Sequence, residues 1–325
     1  MTSVSMIEAA AARLKGHARL TPLLSSPFLN EIAGRRVLVK PECLQHTGSF
    51  KFRGAWSALS ALDPDTRRHG VIAFSSGNHA QGVALAARAH GAPAVIIMPE
   101  DAPEMKIGNT RALGAEVVLY DRAGGEDRDA IGRQYAESRS LALIKPFDEP
   151  QVIAGQGTVG LEIAGQAAEQ GVEAAEVLVC CGGGGLTSGI ALALEAHAPR
   201  MRVRPVEPEG FDDVARSLAA GDIVSNAAPS GSVCDAILTP SPGEITFPLL
   251  SRLCGPGLAV SDEEAMRAMA LAFSRLKIVL EPGGAVALAA ALFHPDQIEG
   301  ETVIAVATGG NVDAALFQEA LAHYA

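Results

Sequence analysis

Hydrophobic residues along this chain gather into short unbroken runs, and longer Ala-rich stretches of helical period separate them. The runs RRVLVK, GVIAFSS, PAVIIMP, AEVVLY, LALIKP, EVLVCCGGGG, RVRPVEP and TVIAVATGG are rich in Val and Ile. Strands apolar on both faces belong in sheets covered on both sides, so the pattern predicts the α/β class, with open parallel sheets and covering helices. Several runs close on Gly, Ser, Thr or Asn, as in AFSSGNHA, VCCGGGGLTSG and AVATGGNVD. Small polar groups then stand at the carboxyl ends of strands, the edge at which open α/β sheets bind ligands. No internal repeat, low-complexity tract or Pro/Ser linker interrupts the succession, so any domain division has to come from two sheets within one continuous α/β pattern.

Composition narrows the function classes. The chain has 325 residues, 48% of them hydrophobic, enough to bury a full core in one large or two moderate domains. Its formal net charge of -11 comes without any basic run, which argues against nucleic-acid and anionic-membrane partners. Five cysteines, at 43, 180, 181, 234 and 254, have neither metal-ligand spacing nor a disulfide framework, so a reducing, cytoplasmic setting is expected. The first residues, MTSVSMIEAAAARLKGHARL, lack a signal-peptide pattern, and no segment approaches the ~20 apolar residues of a membrane helix. Little chain follows GGNVD, so no regulatory domain is expected there.

Three segments carry candidate chemistry. In PECLQHTGSFKFRGAW, Lys51 follows Ser49 and Phe50 in apolar, small surroundings; it reads either as a solvated lysine at a helix start or as a desolvated amine able to bond a carbonyl cofactor. Arg53, two residues on, reads as structural. In FSSGNHAQGVALAARAHG, Asn78 could hydrogen-bond a phenolic oxygen without adding charge, while Ser75, Ser76 or Asn78 could equally cap the helix, and His79 reads as packed. In VCCGGGGLTSGIALAL, consecutive glycines let backbone N–H groups close around a phosphate at a helix start. The Lys-Ser/Thr of a nucleotide P-loop and the G-x-G-x-x-G spacing are both absent. LEPGGAVALAA and AVATGGNVD add strand-to-turn transitions, the second with Thr308 at its edge.

Taken in order, TGSFKFRGA, SSGNHAQG, VIAGQGT, GGGG and TGGNVD resemble the fold type II pyridoxal-phosphate family, in particular threonine and serine dehydratases and serine racemase, from residue 21 to 313. The resemblance implies two open parallel-sheet domains, a large cofactor-binding one of residues 1–50 and 149–325 and a small mobile one of residues 51–148 that closes on substrate. It implies that Lys51 is the Schiff-base lysine, Phe50 lies against the cofactor ring, Asn78 meets the ring hydroxyl, Gly182, Gly183, Gly184, Gly185 and Leu186 hold the phosphate, and Thr308 meets the ring nitrogen. It places substrate against Thr47, Ser75, Ser76, Asn78 and His79, with Arg128 at the mouth. The implied reaction is loss of the β-hydroxyl from threonine, serine or 3-hydroxyaspartate, giving a keto acid and ammonia, after Lys51 takes the Cα proton.

Two features point within the family to the racemase-like branch. Ser76 supplies a hydroxyl on the face opposite Lys51, which leaves an amino acid racemase with dehydratase side activity as the alternative. VEPEGFDDVARSL resembles the racemase's divalent-cation site, with Glu207 and Asp213 as ligands and the Phe211 carbonyl between them, a set that suits Mg²⁺ or Ca²⁺; an acidic helix start is the plainer reading. His46 and Lys145 are candidate charges for an acidic substrate side chain, and Cys234 and Ala236 candidate pocket-wall residues. The family also suggests a homodimer. A pyridoxal-phosphate-binding protein without lyase activity is the remaining alternative, and turnover of a hydroxy amino acid separates it.

Overall fold

The computed structural model describes residues 2–324 except 76, 103, 122 and 123, with the side chains of these other than Met105 and Asp129. Ten strands occur among the described residues: β1 Leu24–Ser25, β2 Arg36–Pro41, β3 Val71–Phe74, β4 Ala94–Pro99, β5 Glu116–Tyr120, β6 Ala142–Leu143, β7 Ala175–Cys180, β8 Met201–Pro208, β9 Leu258–Val260 and β10 Thr302–Ala307. They form two sheets. One has six strands in the order β1-β2-β10-β7-β8-β9, the other four in the order β5-β4-β3-β6. All pairings are parallel except that of β1 with β2. The eight apolar runs each yield a strand; the short edge strands β1 and β9 were not legible in them. LALIKP yields only two strand residues, because Pro146 has no N–H to continue a ladder.

In each sheet the strand order reverses once. In the four-stranded sheet β3 has β4 on one side and β6 on the other; in the six-stranded sheet β7 lies between β8 and β10. A reversal opens a crevice at the carboxyl ends of the strands that flank it. The segments after β3, β6, β7 and β10 include Ser75, Gly77 and Asn78, Pro146–Phe147, the four glycines and Thr308.

Packing explains one of the motifs. The helix Pro282–Phe293 is buried from Pro282 to Leu292 and sits in the main core against β7, β8 and β10. On the other side, the helices Pro150–Glu169 and Gly185–His197 cross closely enough that a Cβ at Gly157 would lie 2.9 Å from the Gly189 carbonyl oxygen, and one at Gly189 only 2.5 Å from that of Ile153. VIAGQGT is therefore a packing surface.

The helix Lys51–Ala61 packs on both Pro150–Glu169 and Asn78–Ala89. Its first turn is anchored by buried charge. Arg53 donates to Glu42 through Nε (2.7 Å) and Nη2 (2.8 Å) and to Glu162 through Nη1 (2.6 Å) and Nη2 (2.9 Å), while Lys40 donates to Glu162 (2.6 Å) and the Thr21 carbonyl (2.7 Å). Two cations and two carboxylates balance, which is what allows Arg53 and Lys40 to be almost wholly buried. Arg53 is structural, as its sequence context suggested.

Candidate active site

The two crevices face one another across a cavity of about 330 Å³. One wall is the loop Gly182–Gly185 and the start of the helix Gly185–His197. Gly184 has φ +88°, a left-handed conformation, and a Cβ on Gly183 would stand 2.3 Å from the Phe147 ring. The glycines thus bring bare backbone to the cavity, where the first N–H groups of a 13-residue helix have no carbonyl of their own to bond. That arrangement is an anion cradle.

Lys51 is half-buried opposite this cradle. Its Nζ donates to the Pro146 carbonyl (2.9 Å) and lies 5.1 Å from the centre of the Phe50 ring, and no carboxylate pairs with it among the described residues. Burial lowers its pKa to about 8, with the charge of Glu281 pulling the other way. Phe50 is held at the edge of the six-stranded sheet, its N–H donating to the Thr308 carbonyl (3.1 Å) and the neighbouring Ser49 bridging to Gly309.

Asn78, first residue of the helix Asn78–Ala89, is fixed from two sides. Its Nδ2 donates to Glu281 Oε1 (2.6 Å), and its Oδ1 accepts from Asn311 Nδ2 (2.7 Å), which also donates to the Thr47 carbonyl (2.8 Å). The amide orientation is thereby set, leaving one Nδ2 hydrogen for the cavity. Glu281 is buried, and burial raises its pKa to about 7, against the pull of the Asn78 amide. A Cβ at Gly309 would collide with Glu281 Oε1 at 1.9 Å, so the glycine of TGGN makes room for that carboxyl. His79 is neutral: burial, and then the charge of Lys51, lower its pKa to about 3. Its Nε2 donates to the Ile144 carbonyl (2.9 Å), which leaves Nδ1 a buried acceptor with no partner among the described residues. Thr308 is buried on the cavity wall with an uncharged hydroxyl.

An amine of lowered pKa facing an anion cradle, with an oriented amide and an uncharged hydroxyl between, is the donor set an aldehyde cofactor with a phosphate needs. Residues 14–309 match the family described as pyridoxal-phosphate dependent enzymes. The chain belongs to that family. It is 45% identical over 304 residues to an L-threo-3-hydroxyaspartate ammonia-lyase from Pseudomonas sp, covering 94% of this chain and 93% of the relative. It is 40% identical to a serine racemase of Schizosaccharomyces pombe, covering 94% and 93%. Among solved structures, a threonine deaminase of T.th. aligns with a TM-score of 0.90 at 46% identity, covering 96% and 99%. In this family's terms Lys51 would carry pyridoxal phosphate, and Gly182, Gly183, Gly184, Gly185 and Leu186 would hold its phosphate. Phe50, Asn78 and Thr308 would meet its ring. All of them line the cavity.

The remaining expectations divide. Ser75 and Arg128 line the cavity; Ser75 Oγ accepts from the Gly77 N–H (3.1 Å), and the Arg128 guanidinium lies 5.4 Å from the centre of the Phe74 ring. Ser76 lies outside the described residues. Thr47 does not line the cavity: it adopts φ +60°, and its hydroxyl donates to the His46 carbonyl (2.6 Å). His46 and Lys145 are not in the lining either. His46 packs edge-on to Phe52 at 4.9 Å, and Lys145 points to solvent because it alternates with the buried Ile144. Among the described residues, Lys106 and Arg128 are instead the cations that join Lys51 in the lining. Ala236 lines the cavity, whereas Cys234 is buried behind it. Sequence reasoning missed Glu281, Asn311 and Lys106; the Glu-Pro-Gly-Gly after an apolar run was the available signal for the first.

At the expected cation site, Glu207 accepts from the N–H groups of Val214 (2.9 Å) and Ala215 (2.8 Å), so it caps the helix Asp213–Ala220. Asp213 Oδ1 accepts from Asn226 (2.7 Å), and its buried Oδ2 has no partner among the described residues. Burial, with the nearby charge of Asp213, raises Glu207 well above the usual carboxylate range, and burial raises Asp213 to about 6. No group of three or more His, Cys, Asp or Glu able to hold a metal occurs among the described residues. Both Glu207 oxygens are taken by helix N–H groups, and of the two carboxylates only Asp213 keeps an oxygen without a partner among the described residues.

Proposed function

We propose that this chain is an ammonia-lyase that removes the β-hydroxyl of a small L-amino acid, with L-threo-3-hydroxyaspartate the first candidate, threonine and serine the others, releasing a keto acid and ammonia. The observation that carries the reading is Lys51: a cavity-facing amine with a lowered pKa and, among the described residues, no carboxylate partner, opposite a four-glycine helix start. Pyridoxal phosphate, when bound, supplies the electron sink that lets the Cα–H bond break. Lys51 takes and holds the Cα proton. Asn78, held by Glu281 and Asn311, orients without adding charge, and the hydroxyl of Thr308 adds none either. Ser75 and Asn78 receive the substrate, and His79 Nδ1 offers a lone pair there and no proton. Similarity to the Pseudomonas lyase over 94% of the chain supports the substrate class.

Purified protein loaded with pyridoxal phosphate should release keto acid and ammonia in equal amounts, fastest from L-threo-3-hydroxyaspartate, for which the keto acid is oxaloacetate. Cofactor absorbance without turnover of any hydroxy amino acid would refute the lyase reading. Racemase activity is the second reading, favoured by the serine racemase relatives; Ser76→Ala should abolish racemisation and spare elimination.

Three further assignments complete the proposal. Residues 51–148, which hold the four-stranded sheet, form a small domain that closes on substrate, and residues 1–50 with 149–325 form the large one. Glu207, Asp213 and the Phe211 carbonyl bind Mg²⁺ or Ca²⁺. The protein is a cytoplasmic homodimer, in keeping with five free cysteines and with exposed Phe28, Ile32, Phe273 and Val279.

A further inference from the structure

Of the cations lining the cavity, Lys51 is committed to the chemistry. Lys106, in the helix Glu104–Ala112, is not accounted for by it, although its side chain is only 15% exposed. Its Nζ lies 3.5 Å from Asp235 Oδ2, longer than the 2.7–2.9 Å of a tight charge-assisted bond. Asp235 is 67% exposed, so solvent screens its half of the pair and little is lost when another anion takes its place. Lys106 and Asp235 also act with opposite sign on buried Glu281, which places the pair within electrostatic reach of the Asn78–Glu281 contact. The two groups come from opposite walls: the helix Glu104–Ala112 packs beside β5 and the helix Asn78–Ala89, while the turn Asp235–Ile237 packs on the helix Pro282–Phe293.

We propose that Lys106 is a specificity-determining residue that exchanges Asp235 for the side-chain carboxylate of a dicarboxylic substrate. The inference rests on the ammonia-lyase reading and names the group that reads the second carboxylate. A 3-hydroxyaspartate brings one more negative charge than serine or threonine into a cavity that would already hold the cofactor's phosphate. A half-buried ammonium with a loosely held, exposed partner meets that charge at low cost. The neutral imidazole of His79 cannot, and His46 and Lys145 lie outside the cavity lining.

The test uses the cofactor-loaded enzyme and two amino acids without a β-hydroxyl, L-aspartate and L-alanine, titrated by the change in cofactor absorbance. Wild type should bind L-aspartate more tightly. Lys106→Met should reduce the L-aspartate over L-alanine preference about 10- to 100-fold, the scale of a charged hydrogen bond, and Lys106→Arg should restore part of it. Asp235→Asn, which leaves the ammonium and removes its competitor, should raise the preference, and it serves if Lys106→Met does not fold. A wild type with no preference for L-aspartate overturns the acidic-substrate reading and this inference together. A preference that survives Lys106→Met, or that vanishes only in Arg128→Met, overturns the role of Lys106 alone.

Discussion

Lys51 and Arg53 leave the same first turn of one helix and enter opposite surroundings. Arg53 turns into the interior between that helix, β2 and the helix Pro150–Glu169, where two carboxylates meet it with four hydrogen bonds and raise its pKa further. Lys51 turns into the cavity, meets one backbone carbonyl, and its pKa falls to about 8. Burial acts on both in the same direction; the partners decide the outcome. A buried charge with every partner in place marks the scaffold, and one left short of partners marks the site.

Substitutions should separate the two regions. Lys51→Ala should lower kcat by about 10⁴-fold, the upper range for a positioned acid–base group, with little change in urea unfolding. Arg53→Met should do the converse to stability, costing about 3–5 kcal/mol by stranding Glu42 and Glu162; an unchanged urea midpoint would mean that the network is not an anchor. On the cradle side, Gly183→Ala forces a methyl against the Phe147 ring. An overpacking cost of about 1–3 kcal/mol corresponds to roughly 5- to 150-fold weaker cofactor binding, measured by fluorescence titration.

The pH dependence follows from the same contrast. Only the neutral amine can bond the cofactor aldehyde, so the rate of cofactor capture by stripped protein should rise with pH and level off above about 8. The Glu281 charge raises the Lys51 pKa, so Glu281→Gln should move that midpoint to lower pH. A midpoint near 10.5, the ordinary lysine value, would show that Lys51 is not desolvated. The smallest effect concerns Asp213. Its folded pKa, about 6, lies above the ordinary 3.8, so the stability it contributes is present below 3.8 and is lost as pH rises towards 6. Asp213→Asn should flatten that part of the stability profile, and Mg²⁺ or Ca²⁺ should offset the loss only in wild type.

Much of the scaffold was legible because its signals are local. Unbroken Val/Ile runs declare doubly covered strands, and four glycines before an apolar helix declare a backbone cradle whatever the rest of the chain does. Lys51 was legible as an oddity, and its motif made it specific. Lys106, Glu281 and Asn311 come from three separate segments and acquire their roles only where tertiary contacts bring them together. His46 and Lys145 show the reverse: each adjoins a motif, yet one packs against Phe52 and the other alternates outward beside Ile144. Sequence proximity to a site does not fix which face of a short strand or turn a side chain takes.

The most direct test of the central claim is to load the protein with pyridoxal phosphate, reduce it with borohydride to convert the lysine–cofactor bond into a stable amine, and locate the adduct by peptide mass spectrometry. The account predicts one adduct, on Lys51, absent from Lys51→Ala. An adduct on Lys106, Lys145 or any other lysine, or none at all, would contradict it.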